Sequence, residues 1–220
     1  MELKLKVVDL CRKVLGPEHP DTLTSMGNLA LTYSYEGKYE EAEKLELKVL
    51  DVCKRVLGPE HPSTLTSMNN LASTYSVQGK YEEAGELRLQ VMNLCTKVLG
   101  PEHPDTLTSM NNLASTYSNQ GKYEEAGGLM LQVVDLARKV LGLEHSHTLT
   151  SMNNLAVTFS DQGKYEEAVE LMLKVLDVHK RVLGPEHPHT LNGMMNLSRT
   201  YSAQERYEEA KKLQMEIQAI

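Results

Sequence analysis

Tryptophan is absent from this 220-residue chain and phenylalanine occurs once, with apolar residues at 40%. A sequence so poor in large rings does not build one big core, so each segment is expected to bury a modest face against its neighbours. No apolar run approaches the roughly 20 residues that span a bilayer, and no charged-then-apolar leader opens the chain. Basic residues are also in deficit: 23 Lys and Arg against 30 Asp and Glu leave a net charge of −7. That balance argues against nucleic acid or an anionic membrane surface as partner, and a cytoplasmic protein is expected. Cysteine is scarce as well, and Cys11, Cys53 and Cys95 stand one period apart, with Ala137 and His179 at the next equivalent places. Equivalent helices in a stacked array lie on the order of 10 Å apart, beyond disulfide reach. The three are expected to be small buried residues at helix contacts, with no metal among them.

What the chain does have is one phrase, repeated. Ser63 to Pro104 reads STLTSMNNLASTYSVQGKYEEAGELRLQVMNLCTKVLGPEHP, and it returns every 42 residues, marked by Gly16, Gly58, Gly100, Gly142 and Gly184. Most positions agree between neighbouring copies, so a linear array replaces the usual estimate of one or two globules.

Each period predicts two amphipathic helices. In the first copy Asp21 is placed to cap a helix over about 22–36, whose Leu23, Met26, Leu29, Ala30 and Tyr33 recur at helical spacing. Gly37 supplies the left-handed residue that ends it. A second helix starts at Lys38, with Glu40 and Glu41 at its positive end. Tyr39, Ala42, Leu45, Val49, Val52 and Val56 form its apolar stripe, widened by Leu47, Leu50 and Cys53. Gly58-Pro59 stops it. Ala30 and Ala42 leave room for two helix axes to cross closely as an antiparallel hairpin. No segment alternates with period two, which excludes a propeller. Eleven helices follow, all within one solenoid over 1–220. An orphan second helix covers 1–15, full pairs cover 21–58, 63–100, 105–142 and 147–184, and a shortened pair covers 189–220.

The runs Asn-Leu-Ala-Ser-Thr-Tyr at 70–75 and Gln-Gly-Lys-Tyr-Glu-Glu-Ala at 78–84 resemble the tetratricopeptide repeat. The 42-residue period, with Val-Leu-Gly-Pro-Glu-His-Pro between units, resembles the variant of kinesin light chains and of fungal and bacterial NTPase receptors related to NLR proteins. The resemblance covers essentially the whole chain and implies an all-α, right-handed superhelical solenoid. It also implies that first helices line a concave groove for a peptide or helix.

Carried onto this sequence, the groove stripe is Thr66, Asn69, Asn70, Ser73, Ser76 and Val77 in the second copy. The third gives Thr108, Asn111, Asn112, Ser115 and Asn119, and the fourth gives Thr150, Asn153, Asn154, Val157 and Asp161. The first and fifth copies contribute Asn28, Asn196 and Arg199, but depart at Gly27, Leu31 and Met195. Amides and hydroxyls dominate, so the expected grip is on a partner's main chain, with Asn70, Asn112 and Asn154 as a ladder. A carboxylate clamp would need several cations here, and Arg199 is the one basic residue of the stripe.

His19, His61, His103, His145 and His187 read as loop residues, and Met26, Met68, Met110, Met152 and Met194 as core. No phosphate loop, nucleophile motif or metal-ligand spacing occurs, so the expected protein is a non-enzymatic scaffold without cofactor or metal. Two other readings accompany it. The apolar edge of Leu3, Leu5, Val7 and Leu10 would allow end-to-end self-association of uncapped arrays. A fragment of a longer light chain or receptor would have that edge covered by further repeats.

Overall fold

The computed structural model describes residues 2–219, and among them every regular element is a helix. Helix α1 spans Glu2–Val14 and is followed by α2 (Pro20–Tyr35), α3 (Tyr39–Val56), α4 (Pro62–Val77), α5 (Tyr81–Leu99) and α6 (Pro104–Asn119). The order continues with α7 (Tyr123–Leu141), α8 (Ser146–Asp161), α9 (Tyr165–Val182), α10 (Pro188–Ala203) and α11 (Tyr207–Gln218). These are the eleven helices expected. They form two compact units, Met1–Ser109 and Met110–Ile220.

In the first unit α1 packs on α2, α2 on α3, α3 on α4 and α4 on α5. Its core has two parts. Val8, Leu23, Met26, Leu29, Val49 and Cys53 fill one. Leu50, Met68, Leu71, Val91 and Cys95 fill the other. In the second unit α7 packs on α8, α8 on α9, α9 on α10 and α10 on α11. There, Met130, Val134, Met152, Leu155 and Val175 form one cluster, and Met172, Leu176, Met194, Leu197 and Tyr201 form another. Ala30, Ala42, Ala72 and Ala84 in unit 1, and Ala126, Ala156 and Ala168 in unit 2, are wholly inaccessible, as close crossing of axes requires. All five repeat methionines are buried.

Some local expectations change. The cap of α2 is His19, whose Nδ1 accepts from the Asp21 N–H at 3.2 Å, and Asp21 lies inside the first turn. His61, His145 and His187 cap α4, α8 and α10 in the same way. The helix starts at Pro20, where the missing N–H costs nothing, so the cap falls two residues before Asp21, and α8 starts at the same place with Ser146 there. Val56 at the end of the main stripe of α3 and Leu47 in its widening are exposed, while Leu50 and Cys53 are buried, so the apolar surface is narrower than the sequence suggests. Gly37, Gly79, Gly121 and Gly163 sit near φ +76° between the two helices of a pair, and Glu205 holds the equivalent place at φ 62°.

Buried threonines fasten each loop. Thr22 and Thr64 donate to the carbonyls of Gly16 and Gly58, each at 2.8 Å, and Thr190 donates to Gly184 at 2.7 Å. The exception is Thr148, whose hydroxyl is buried without a partner. It follows the one loop that has Leu143 and Ser146 in place of both prolines.

Candidate peptide-binding groove

The groove residues sit on the first helices α2, α4, α6, α8 and α10. Thr66, Ser73, Thr108, Ser115, Thr150, Asn28 and Arg199 are exposed. Asn69, Asn70, Asn111, Asn112, Asn153, Asn154 and Asn196 are half-buried. The hydroxyl protons of Thr66, Ser73, Thr108 and Thr150 are already spent within their own helices. Thr66 donates to Pro62 O at 3.0 Å, Ser73 to Asn69 O at 3.0 Å, Thr108 to Pro104 O at 2.9 Å, and Thr150 to Ser146 O at 2.9 Å. Towards a ligand these hydroxyls therefore present acceptor lone pairs, a narrower role than donor and acceptor together.

The paired asparagines divide their work. Asn111 reaches the next first helix, its Nδ2 donating to Ser151 Oγ at 3.0 Å. Asn153 Oδ1 accepts from Asn196 Nδ2 at 3.4 Å. The leading asparagine of the pair thus links neighbouring first helices within unit 2, and Asn196 is drawn into that link. Asn70, a trailing one, lines open space in unit 1.

That space is a cleft of about 280 Å³ walled by α2 and α4 and floored by α3. Thr24, Gly27 and Asn28 face Thr66 and Asn70 across it, with Glu46 and Val49 beneath. Unit 2 has a second cleft, of about 340 Å³, where Asp161 and Arg199 meet Asn196 and Tyr165. Burial raises the Asp161 pKa and the Arg199 charge partly offsets the shift. The groove of unit 2 therefore carries charge of both signs at its α8–α10 end.

The floor holds residues that the stripe on the first helices does not include. Position 46 of α3 corresponds to Lys4, Arg88, Met130, Met172 and Gln214 on the other second helices. Lys4 Nζ donates to Thr32 Oγ1 at 2.5 Å. Thr74 donates its hydroxyl to the Glu46 carboxyl, and Thr200 Oγ1 lies 3.5 Å from Met172 Sδ. Lys4, Glu46 and Met172 thus each meet the threonine 28 places onward, on the next first helix. Burial raises the Glu46 pKa and lowers that of Arg88. In copies that otherwise agree at most positions, this one changes from cation to anion to thioether. Such variation at one repeat position, buried at Glu46, Met130 and Met172, was the signal available in the sequence.

Among the described residues no helix is long and apolar enough to cross a membrane, and no group of three or more His, Cys, Asp or Glu is arranged to hold a metal ion.

Family models described as tetratricopeptide repeat match residues 3–21, 22–63, 106–147, 148–189 and 190–217, and a second such model matches 69–126. No curated protein matches the chain. Among solved structures, a Podosopora anserina protein assigned to the kinesin light chains, with nearly identical TPR-like repeats, is 37% identical. The match covers 91% of this chain and 95% of that one, with a TM-score of 0.79. BtubC (BKLC) from P. vanneervenii shares the fold at 19% identity and TM-score 0.80, over 99% of this chain and 88% of that one. YrrB, described as a TPR protein with an unusual peptide-binding site, shares it at 15% identity and TM-score 0.54, over 97% and 90%. Arrays of this fold generally serve as protein-interaction scaffolds, because stacked helix pairs create extended binding surfaces. With repeat models along nearly its whole length and helices packed in adjacent pairs, the chain belongs to the tetratricopeptide repeat family, in the 42-residue form of kinesin light chain-like arrays.

Proposed function

We propose that the chain is a non-catalytic, cytoplasmic scaffold that holds a peptide or helical segment of a partner protein against its first helices. The observation that carries this reading is the half-buried amides at Asn70 in unit 1 and at Asn112 and Asn154 in unit 2, each beside an exposed hydroxyl that donates within its own helix. Amides of this kind pair with a peptide main chain as donor and acceptor at once, with no demand on the ligand's side chains. The test uses a random peptide library displayed against the full chain. Peptides enriched on the wild type should bind an Asn70, Asn112, Asn154→Ala variant at least about tenfold more weakly, the cost of one or two lost hydrogen bonds. Equal affinity, with helicity preserved, rejects the ladder.

A second reading is favoured by α1. Leu3 and Leu10 on this helix are 75% and 62% exposed, and Leu5 and Val7 lie beside them. An apolar helix face of this kind suits self-association with another copy of the array. Molar mass that rises with concentration in light scattering, and stops rising in a Leu3, Leu10→Lys variant, would support it. A constant monomer mass at high concentration excludes it.

A further inference from the structure

Glu46 is the odd residue on the groove floor of unit 1. It is 4% exposed, and its Oε2 has no hydrogen-bond partner among the described residues. Thr74 donates to its carboxyl, and the charged side chain that bears on it, Glu43, has the same sign. A buried carboxyl with an empty acceptor is costly wherever it carries charge, and the cost falls when a cation or donor reaches it. The cleft above it supplies access. Gly27 stands where the next three copies carry Asn69, Asn111 and Asn153, and a Cβ built on Gly27 would meet nothing within 4 Å. The cleft exists in this repeat because an asparagine side chain is missing from its wall.

The lining chooses among possible occupants. Leu23, Leu31, Val49 and Leu57 make the walls largely apolar, with Glu46 as the carboxyl on the floor. A side chain that matches has an aliphatic stem and a cationic head, the pattern by which Lys and Arg bury their methylenes and present charge at the tip. At about 280 Å³ the cleft falls at the low end of ligand pockets, roughly 300–1,000 Å³, and suits one side chain better than a whole small molecule. The net charge of −7 favours approach of a basic segment over an acidic one.

From this we infer that the α2–α4 cleft is a specificity pocket for one Lys or Arg side chain of the bound peptide, with Glu46 as its counter-ion. The inference rests on the groove reading above for the rest of the peptide, while the pocket itself can be tested alone. In the groove, Asn70 and Thr66 would hold the flanking main chain while Glu46 selects the residue between.

The probe is N-butylguanidinium, with N-butylurea as the neutral isostere, titrated into the isotopically labelled full chain and followed by NMR. Saturable shifts at Gly27, Asn28 and Asn70 are expected with the cation, and binding about tenfold weaker with the urea, the size of one charge-assisted contact. Glu46→Gln keeps the shape and should bring the cation down to the urea's affinity. Gly27→Asn restores the residue of the other copies and should close the cleft to both probes while leaving Glu46 in place. Equal affinity for the two probes, unchanged binding in Glu46→Gln, or no saturable shifts in the wild type each overturns the pocket. The peptide library separates this from the groove: enriched peptides without a Glu46-dependent preference for Lys or Arg would sink the pocket and leave the groove standing.

Discussion

The hydroxyl of Thr64 donates to the carbonyl of Gly58 at 2.8 Å, closing the loop that joins α3 to α4. Thr64 is wholly inaccessible, so the bond has no competition from water. Thr148 occupies the same place before α8, is equally buried, and has a hydroxyl without a partner. The contrast yields a paired prediction. Thr64→Val removes a satisfied buried bond and leaves the Gly58 carbonyl with only the long 3.4 Å bond from the His61 N–H, and should cost about 0.5–1.5 kcal/mol. Thr148→Val removes a stranded hydroxyl and should be neutral or stabilising. Hydrogen exchange of the first-turn amides of α4 and α8 reads each locally, which suits an array whose unfolding need not be two-state. Equal losses at both sites would sink the argument.

A related contrast concerns the turn between α10 and α11. Glu205 holds φ 62° where Gly37, Gly79, Gly121 and Gly163 hold 76° in the other pairs. A side chain in the left-handed region costs about 1–2 kcal/mol, and glycine's greater freedom in the unfolded chain returns part of that. Glu205→Gly should therefore stabilise the α10–α11 hairpin by about 0.5–1 kcal/mol. Slower amide exchange along α11 is the expected result. Unchanged or faster exchange would show that local contacts of Glu205 outweigh the strain.

The helices and their contacts were legible because five copies state the same apolar spacing, and the alanines at the crossings are small in almost every one. The caps were harder. Asp21 is the better capping type, yet the helix starts at residue 20 and the cap is His19, and His145 caps α8 likewise with Ser146 in the proline's place. The threonine fastener joins residues six apart through a loop, a distance that helical periodicity does not report. Glu46 was hidden by its type, since an acidic residue beside Leu45 and Leu47 reads as solvated surface. The exposure is in fact reversed: Leu47 faces solvent and Glu46 is buried. Its place became visible through comparison with Lys4, Arg88, Met130, Met172 and Gln214, where the copies stop agreeing. Whether a hydroxyl on the stripe donates inward or outward depends on the i−4 carbonyl of its own helix, which composition alone does not settle.

Acid should weaken the second unit through one residue, His179. It lies near the end of α9, where unit 1 has Cys53 and Cys95 and position 137 is Ala. Burial lowers its pKa, and the neighbouring His189 and His187 lower it further. The rings of His179 and His189 are 6.0 Å apart, and those of His187 and His189 are 5.2 Å apart. A depressed value means that the unfolded chain binds this proton more readily than the folded one. Stability is then whole above the ordinary histidine pKa of about 6.5 and declines as pH falls through it towards the folded value. His179→Ala installs the residue already tolerated at 137 and removes the titrating group. Thermal unfolding of both proteins at pH 7.5 and pH 5.5 makes the comparison, with the wild type expected to lose more on acidification than the variant. An equal loss in the two would assign the acid sensitivity to other groups.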